Sequence, residues 1–313
     1  MTTRERMLLM FLSDEDRGIT PEERKFFDHC NENYKTLFYE PWKEYMTPFR
    51  IAGNLYYLGN RLYCVHLIAT EEGLILYDSG FQHTAPLIMK GILELGFRPE
   101  DVKYVIMTHG HFDHFGSAAW FQGMYGAKVC FGAQEKGRLD IPRFGTIPRD
   151  DYSCDPVEPD ILIHTGDEIK LGSTVIRFYE TPGHSAGSIT GFFDTEENGQ
   201  KIRVCMYGDA GSGGLSKERS KLPSETIDEL RKIREDAFEL MKKECADVFT
   251  SGHPQLHGYN LLEKREKMLA NPSVNPFIDP AVWEKAREKE IEMYEDMLDR
   301  EMHPEKKPKD MPF

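Results

Sequence analysis

A chain of 313 residues, 40% hydrophobic and 29% charged, is long enough to bury a full core and has the composition of a soluble globular protein. Its formal net charge of −14 argues against non-specific binding to nucleic acid or anionic membranes, and no apolar run is long enough to span a bilayer. The apolar stretch Met7 to Leu12 is too short for a secretory leader, so a cytoplasmic protein acting on a small molecule is expected.

In chain order, residues 1–45 read as a polar, helical N-terminal extension, with Thr20-Pro21-Glu22-Glu23 as a helix start. The texture changes at Ile51. Short β-rich runs at 54–58, 63–69 and 74–77, separated by Gly59-Asn60 and Glu71-Glu72-Gly73, predict a strand meander. A helix over 85–95 closed by Gly96, a buried strand at 103–107, a polar loop at 108–114 and a helix over 116–125 closed by Gly126 follow. After a strand at 128–131, residues 132–160 are rich in Gly and Pro without periodicity, as functional loops often are.

Further strands are predicted at 168–171, 174–179, 188–193, 203–207 and 248–250, with helices over 227–242, 260–270 and from Asp279-Pro280 to about Glu301. Clusters of strands followed by helices, twice over, predict one α/β domain over 46–270 in which two sheets pack together with helices outside. Residues 271–313 would add a C-terminal helix and a flexible tail to the same domain. That helix carries an apolar stripe (Trp283, Ile291, Tyr294, Met297) expected to dock on its own domain; whether the protein is a monomer or a homodimer is left open. The six cysteines are scattered without a C-x-x-C pair and read as reduced structural thiols.

The chemistry concentrates in Thr108-His109-Gly110-His111-Phe112-Asp113-His114. Four potential metal ligands directly follow an apolar strand, so His109 and His111 can share one ion while Asp113 and His114 face another. Further ligands must come from elsewhere. His184 in Pro182-Gly183-His184-Ser185 and His253 in Gly252-His253-Pro254 each follow a strand beside a turn residue. Asp78, also after a buried strand, reads as a carboxylate that orients a ligand histidine. His66 alternates with apolar residues and reads as structural, and His257 as a residue at the rim of the cleft.

From about Phe49 to His257 the chain resembles the metallo-β-lactamase fold superfamily. The resemblance rests on Leu76-Tyr77-Asp78-Ser79-Gly80, the His-x-His-x-Asp-His hexapeptide, Pro182-Gly183-His184-Ser185, Gly208-Asp209 and Gly252-His253-Pro254, in order. It implies an αββα sandwich of two mixed sheets, with two zinc ions per chain at one edge of the paired sheets. His109, His111 and His184 would hold the first ion, and Asp113, His114 and His253 the second. The Asp-His-His second set, with Pro48 to Gly53 and Gly96 to Val102, is most similar to the third subclass of metallo-β-lactamases.

Two features depart from that subclass. Ala210 stands where a substrate-binding serine is common, although Ser212 matches a second one, and no export signal is visible. The resemblance implies a zinc-activated hydroxide, oriented by Asp113 as the catalytic carboxylate, attacking a carbonyl carbon. A β-lactamase-like opening of a cyclic amide is expected, with lactone, ester or thioester hydrolysis as the alternative. Iron redox chemistry is a minor one, since all three hexapeptide histidines are present and no flavin domain is seen. Asp209 is open between a bridging ligand and a supporting role. Ser212, Tyr207, Arg143 and Arg149 are candidate substrate contacts.

Overall fold

The structure is a computed structural model that describes residues 40–136, 157–208, 210–218, 220 and 222–303. Most of the expected N-terminal extension, most of the 132–160 segment and the tail beyond 303 lie outside the described residues. Residues 40–45 form a 3-10 turn, Pro41–Lys43, and a β-bridge from Tyr45 to Asn60, instead of the end of a helix.

Seven strands form the first sheet in sequential order: β1 Phe49–Ala52, β2 Leu55–Tyr57, β3 His66–Thr70, β4 Gly73–Tyr77, β5 Val102–Ile106, β6 Lys128–Gly132 and β7 Ile161–Ile163. The meander to β4 is antiparallel; β4 through β7 run parallel. The second sheet has the order β12-β11-β10-β9-β8 and comprises β8 Glu168–Leu171, β9 Thr174–Glu180, β10 Ile189–Glu197, β11 Gln200–Met206 and β12 Val248–Thr250. It is antiparallel except for β11 beside β12.

Period-2 alternation divides the first sheet's side chains between two cores. Ile75, Tyr77, Ile106 and Cys130 face the second sheet and join Ile176, Phe178, Ile189 and Phe193. Leu74, Leu76, Val105 and Val129 point the other way, under helices α1 (Ala85–Glu94) and α3 (Ala118–Tyr125), which cover them with Ile88, Ile92, Ala118 and Phe121. The short α2, Phe112–Phe115, precedes α3. On the outer side of the second sheet lie α4 (Ser224–Met241), against β9, and α6 (Pro280–Met302), against β12, while α5 (Leu261–Ala270) buries Leu261 in the same core and places Arg265 over the Phe49 ring of β1. The layers are therefore α/β/β/α. The α6 stripe lies in the core: Trp283 is 1% exposed, Tyr294 3% and Met297 7%.

Several boundaries differ from the sequence reading, three of them for a plain physical reason. β1 and β7 add strands where the pattern was too short or too rich in Gly and Pro to show one. β10 runs on to Glu197, because Asn198 (φ 52°) and Gly199 (φ 78°) supply the two left-handed residues of a tight hairpin to β11. Its polar arm has no hydrophobic alternation, but Glu197 is buried there and accepts the Gly53 N–H and Arg50.

His66 is buried on β3, with its Nε2 3.0 Å from the Tyr259 hydroxyl, and burial pushes its pKa down to about 3. The folded-state pKa lies below the unfolded value near 6.5, so its contribution is complete above pH 6.5 and is lost as pH falls toward 3. Within that window each pH unit should cost about 1.4 kcal/mol from this group. Urea unfolding from pH 7 to 4.5 should show a shallower acid limb for His66→Gln than for the parent; parallel limbs would refute the assignment.

Candidate metal centre

The ligand candidates sit on loops leaving the C-terminal ends of strands at one edge of the sandwich. The His109–His114 loop follows β5, His184 follows β9 and His253 follows β12. Ile189 N–H donates to the Thr108 carbonyl at 2.9 Å, and Cys64 N–H to the Gly252 carbonyl at 2.8 Å, so backbone bonds tie the loops together across the sheets.

The structure gathers two groups: His109, His111 and His184, then Asp113, His114 and His253, with the ligand atoms of each group within 4.8 Å of one another. In the first, His111 Nδ1 lies 3.0 Å from His109 Nε2 and 2.9 Å from His184 Nε2. Three nitrogens converging this closely suit one cation between them. Tetrahedral zinc with bonds near 2.0–2.1 Å would separate them to about 3.3 Å, a shift of a few tenths of an ångström. In the second group Asp113 Oδ2 is 3.5 Å from His114 Nε2 and 3.7 Å from His253 Nε2. Imidazole nitrogens with one carboxylate form a donor set that fits zinc.

Hydrogen bonds at the far ring nitrogens fix which nitrogen faces the metal. His184 Nδ1–H donates to the Ala210 carbonyl at 3.1 Å, and His253 Nδ1–H to the Leu62 carbonyl at 2.9 Å. His114 Nδ1–H donates to Asp78 Oδ2 at 2.9 Å. Thr108 gives its N–H to Asp78 Oδ1 at 2.7 Å and its hydroxyl to Oδ2 at 2.9 Å, while Thr108 Oγ1 lies 3.0 Å from His109 Nδ1. One buried carboxylate thus sets the tautomer of a ligand in each group, directly for His114 and through Thr108 for His109. Asp78 sits at φ 64°, a left-handed turn that aims its carboxylate beneath the hexapeptide.

Burial, then repulsion from His114, His111, His184 and His253, holds the His109 pKa well below the usual imidazole value, so its lone pair is available at neutral pH. Burial would raise Asp113, but the charges of His114, His253 and His111 outweigh it and keep the carboxyl below its usual range.

Glu135 was not found from the sequence. It is fully buried and its Oε1 accepts the Gly110 N–H at 3.1 Å and the Ser185 hydroxyl, clamping the hexapeptide loop to the His184 loop. Its separations of 25 and 50 residues leave no local signal.

Other candidates fall elsewhere. Tyr207 is core instead of a substrate contact: it is 2% exposed among Phe249, Trp283 and His257, and Arg234 donates to its hydroxyl. His257 is not at the rim; its side chain is 2% exposed and bonded to Glu290. Ser212 is 5% exposed, two residues past Ala210, and its Oγ has no hydrogen-bond partner among the described residues. Asp209, Arg143 and Arg149 lie outside the described residues.

The αββα sandwich thus brings two groups of potential metal ligands together at its edge. A family model described as the metallo-beta-lactamase superfamily matches residues 64–196. The chain has the fold of that superfamily, and its His-His-His and Asp-His-His groups agree with a B3-like subclass.

A subclass B3 metallo-beta-lactamase of Bradyrhizobium japonicum superposes with a TM-score of 0.71 at 26% identity, covering 85% of this chain and 98% of that one. The metallo-beta-lactamase GOB-18 from Elizabethkingia meningoseptica gives 0.68 at 26% identity, over 83% and 94%. A hydroxyacylglutathione hydrolase of Methylobacterium nodulans is 30% identical over 112 residues, 36% of this chain and 36% of that protein. The chain spans less than half the length of the curated relatives it matches, 42%, 24% and 20% for three of them. Among the described residues no helix is long and apolar enough to cross a membrane.

Proposed function

We propose that the chain is a dinuclear zinc hydrolase that opens a cyclic amide, as a β-lactamase does. The observation that carries this is the pair of ligand groups, each with histidine nitrogens turned inward by hydrogen bonds at the opposite ring atom. Bound there, two zinc ions supply Lewis acidity and a hydroxide at neutral pH. The chain's part is to turn one nitrogen of each ligand imidazole inward and to present Asp113. That carboxylate is 21% exposed, and it would orient the attacking hydroxide by accepting a hydrogen bond from it. Ser212 and the loop around it are the proposed substrate contacts. The similarity over most of the chain to metallo-beta-lactamases, one of them of subclass B3, supports the cyclic-amide substrate.

A second reading, thioester hydrolysis, is favoured by the similarity to hydroxyacylglutathione hydrolase. Elemental analysis should find two zinc equivalents per chain. A chromogenic cephalosporin should be turned over, with loss of turnover in chelator and recovery on adding zinc. Zinc with turnover only on thioester or lactone panels would transfer the assignment to the second reading, and predominant iron would remove both.

A further inference from the structure

Glu290 on α6 belongs to no metal motif, yet its carboxylate is 1% exposed and saturated with donors. Its Oε1 accepts the Gly211 N–H at 3.0 Å and His257 Nε2 at 2.5 Å, and its Oε2 accepts from Arg234. Burial opposes the charge, but the His257 hydrogen bond, the neighbouring cations and the Gly211 N–H outweigh it and hold the carboxyl at about 2, so it is ionised at neutral pH.

The Gly211 N–H and the Ala210 carbonyl belong to one peptide unit, and the chain has no cis peptide among the described residues, so the two groups point in opposite directions. At the N–H end sits the Glu290 carboxylate; at the carbonyl end sits His184 Nδ1, 3.1 Å away. The result is a file of hydrogen bonds, carboxylate to peptide to imidazole, ending at the nitrogen that faces His111.

A negative charge on the N–H end polarises the peptide and makes its carbonyl a stronger acceptor. That strengthens the bond from His184 Nδ1–H and raises the basicity of Nε2, as a carboxylate bonded directly to a ligand histidine does. We propose that Glu290 is a positioning residue of the first metal group, acting on His184 through the Ala210–Gly211 peptide. The proposal rests on the reading of His109, His111 and His184 as metal ligands.

Two neighbours keep the file straight. Arg234, fully buried, donates from Nη1 to the Thr181 carbonyl at 3.1 Å and so holds the start of the His184 loop. The 183 and 211 backbones touch there: a Cβ on Gly183 would come within 2.5 Å of the Gly211 carbonyl oxygen. A buried cation serving only as counter-ion would not need to reach Thr181.

The test uses two neutral double variants, since removing Glu290 alone would strand the buried Arg234 charge. E290L/R234M fills the space but abolishes the acceptor for Gly211; E290Q/R234Q keeps an acceptor without the charge. Zinc affinity is measured by competition with a chromophoric chelator, and cobalt-substituted protein is examined for its visible ligand-field bands. H184A identifies which equivalent belongs to the first group. E290L/R234M should weaken that equivalent by roughly 10- to 100-fold and shift its cobalt bands, leaving the other near the parent value. E290Q/R234Q should weaken the same equivalent by a smaller factor, about 3- to 10-fold.

Unchanged affinity, or equal weakening of both equivalents as a loosened scaffold gives, overturns the proposal. If E290L/R234M does not fold, E290Q/R234Q decides on the same criteria. Failure of the parent chain to bind zinc would instead defeat the metal-centre reading, and the proposal with it.

Discussion

Replacing Asp78 by asparagine should strip metal from the second ligand group while leaving the fold intact. Asparagine tolerates the φ of 64° at this position, and its amide oxygen still accepts the Thr108 N–H. The other terminus changes from acceptor to donor. Facing His114 Nδ1, it donates instead of accepting and moves the imidazole proton to Nε2, the atom turned toward Asp113. A protonated Nε2 cannot bind metal. Zinc affinity at Asp113, His114 and His253 should fall by roughly 100-fold or more, and hydrolysis by about 10³- to 10⁴-fold, the scale of a wrong histidine tautomer. Elemental analysis, circular dichroism and turnover on one preparation check this. Asp78→Asn protein that keeps both metals at parental affinity would falsify the tautomer argument. Asp78→Ala is the harsher change: it leaves the Thr108 N–H and His114 Nδ1 buried without an acceptor, each costing about 1–3 kcal/mol, and should unfold part of the loop.

What could be read from the sequence follows the range of the interactions. The hexapeptide is contiguous and directly follows a strand, so its residues announce themselves. His184 and His253 are visible because each combines the end of an apolar strand with a turn. The sheets were readable wherever a β-rich apolar run was bounded by turn residues, as in Leu74–Tyr77, and not in β7, whose three residues follow a stretch rich in Gly and Pro. Asp78 was readable as a carboxylate orienting a ligand histidine, and it meets His114. Glu135 and Glu290 were not readable: they lie 25 residues from Gly110 and 79 residues from Gly211.

A buried ion pair and a solvated charge look alike in a sequence such as that of α6. One signal was present, however. Glu290 falls seven residues after Trp283 and four before Tyr294, on the apolar stripe itself, and Arg234 likewise sits between Leu230 and Phe238. A charge at a stripe position marks a buried partner more often than an error in the helix. Tyr207 shows the reverse failure: it was a candidate substrate contact, but its ring belongs to the core.

Removing the Trp283 side chain should be the most damaging single change away from the metals. The indole is 1% exposed and lies edge-on to Phe192 at 5.4 Å and stacked with Phe249 at 6.3 Å, while its Nε1–H donates to the Glu244 carbonyl at 3.1 Å. It is the contact by which α6 grips the outer face of β10 and β12. Trp283→Ala should cost about 3–5 kcal/mol, from lost burial and from a cavity that the paired sheets cannot collapse to fill. That is a large fraction of the 5–15 kcal/mol typical of a whole domain. Trp283→Phe keeps a ring but not the hydrogen bond, and about 1–2 kcal/mol is expected. Urea unfolding checks both, with the midpoint lowered and the slope unchanged. The effect also differs in kind from that of the Glu290 variants. Below the transition, Trp283→Ala protein should hold both metal equivalents, since it keeps Glu290 and the Ala210–Gly211 peptide. A cost within about 0.5 kcal/mol, the range of ordinary surface substitutions, would mean that α6 is not part of the folded core.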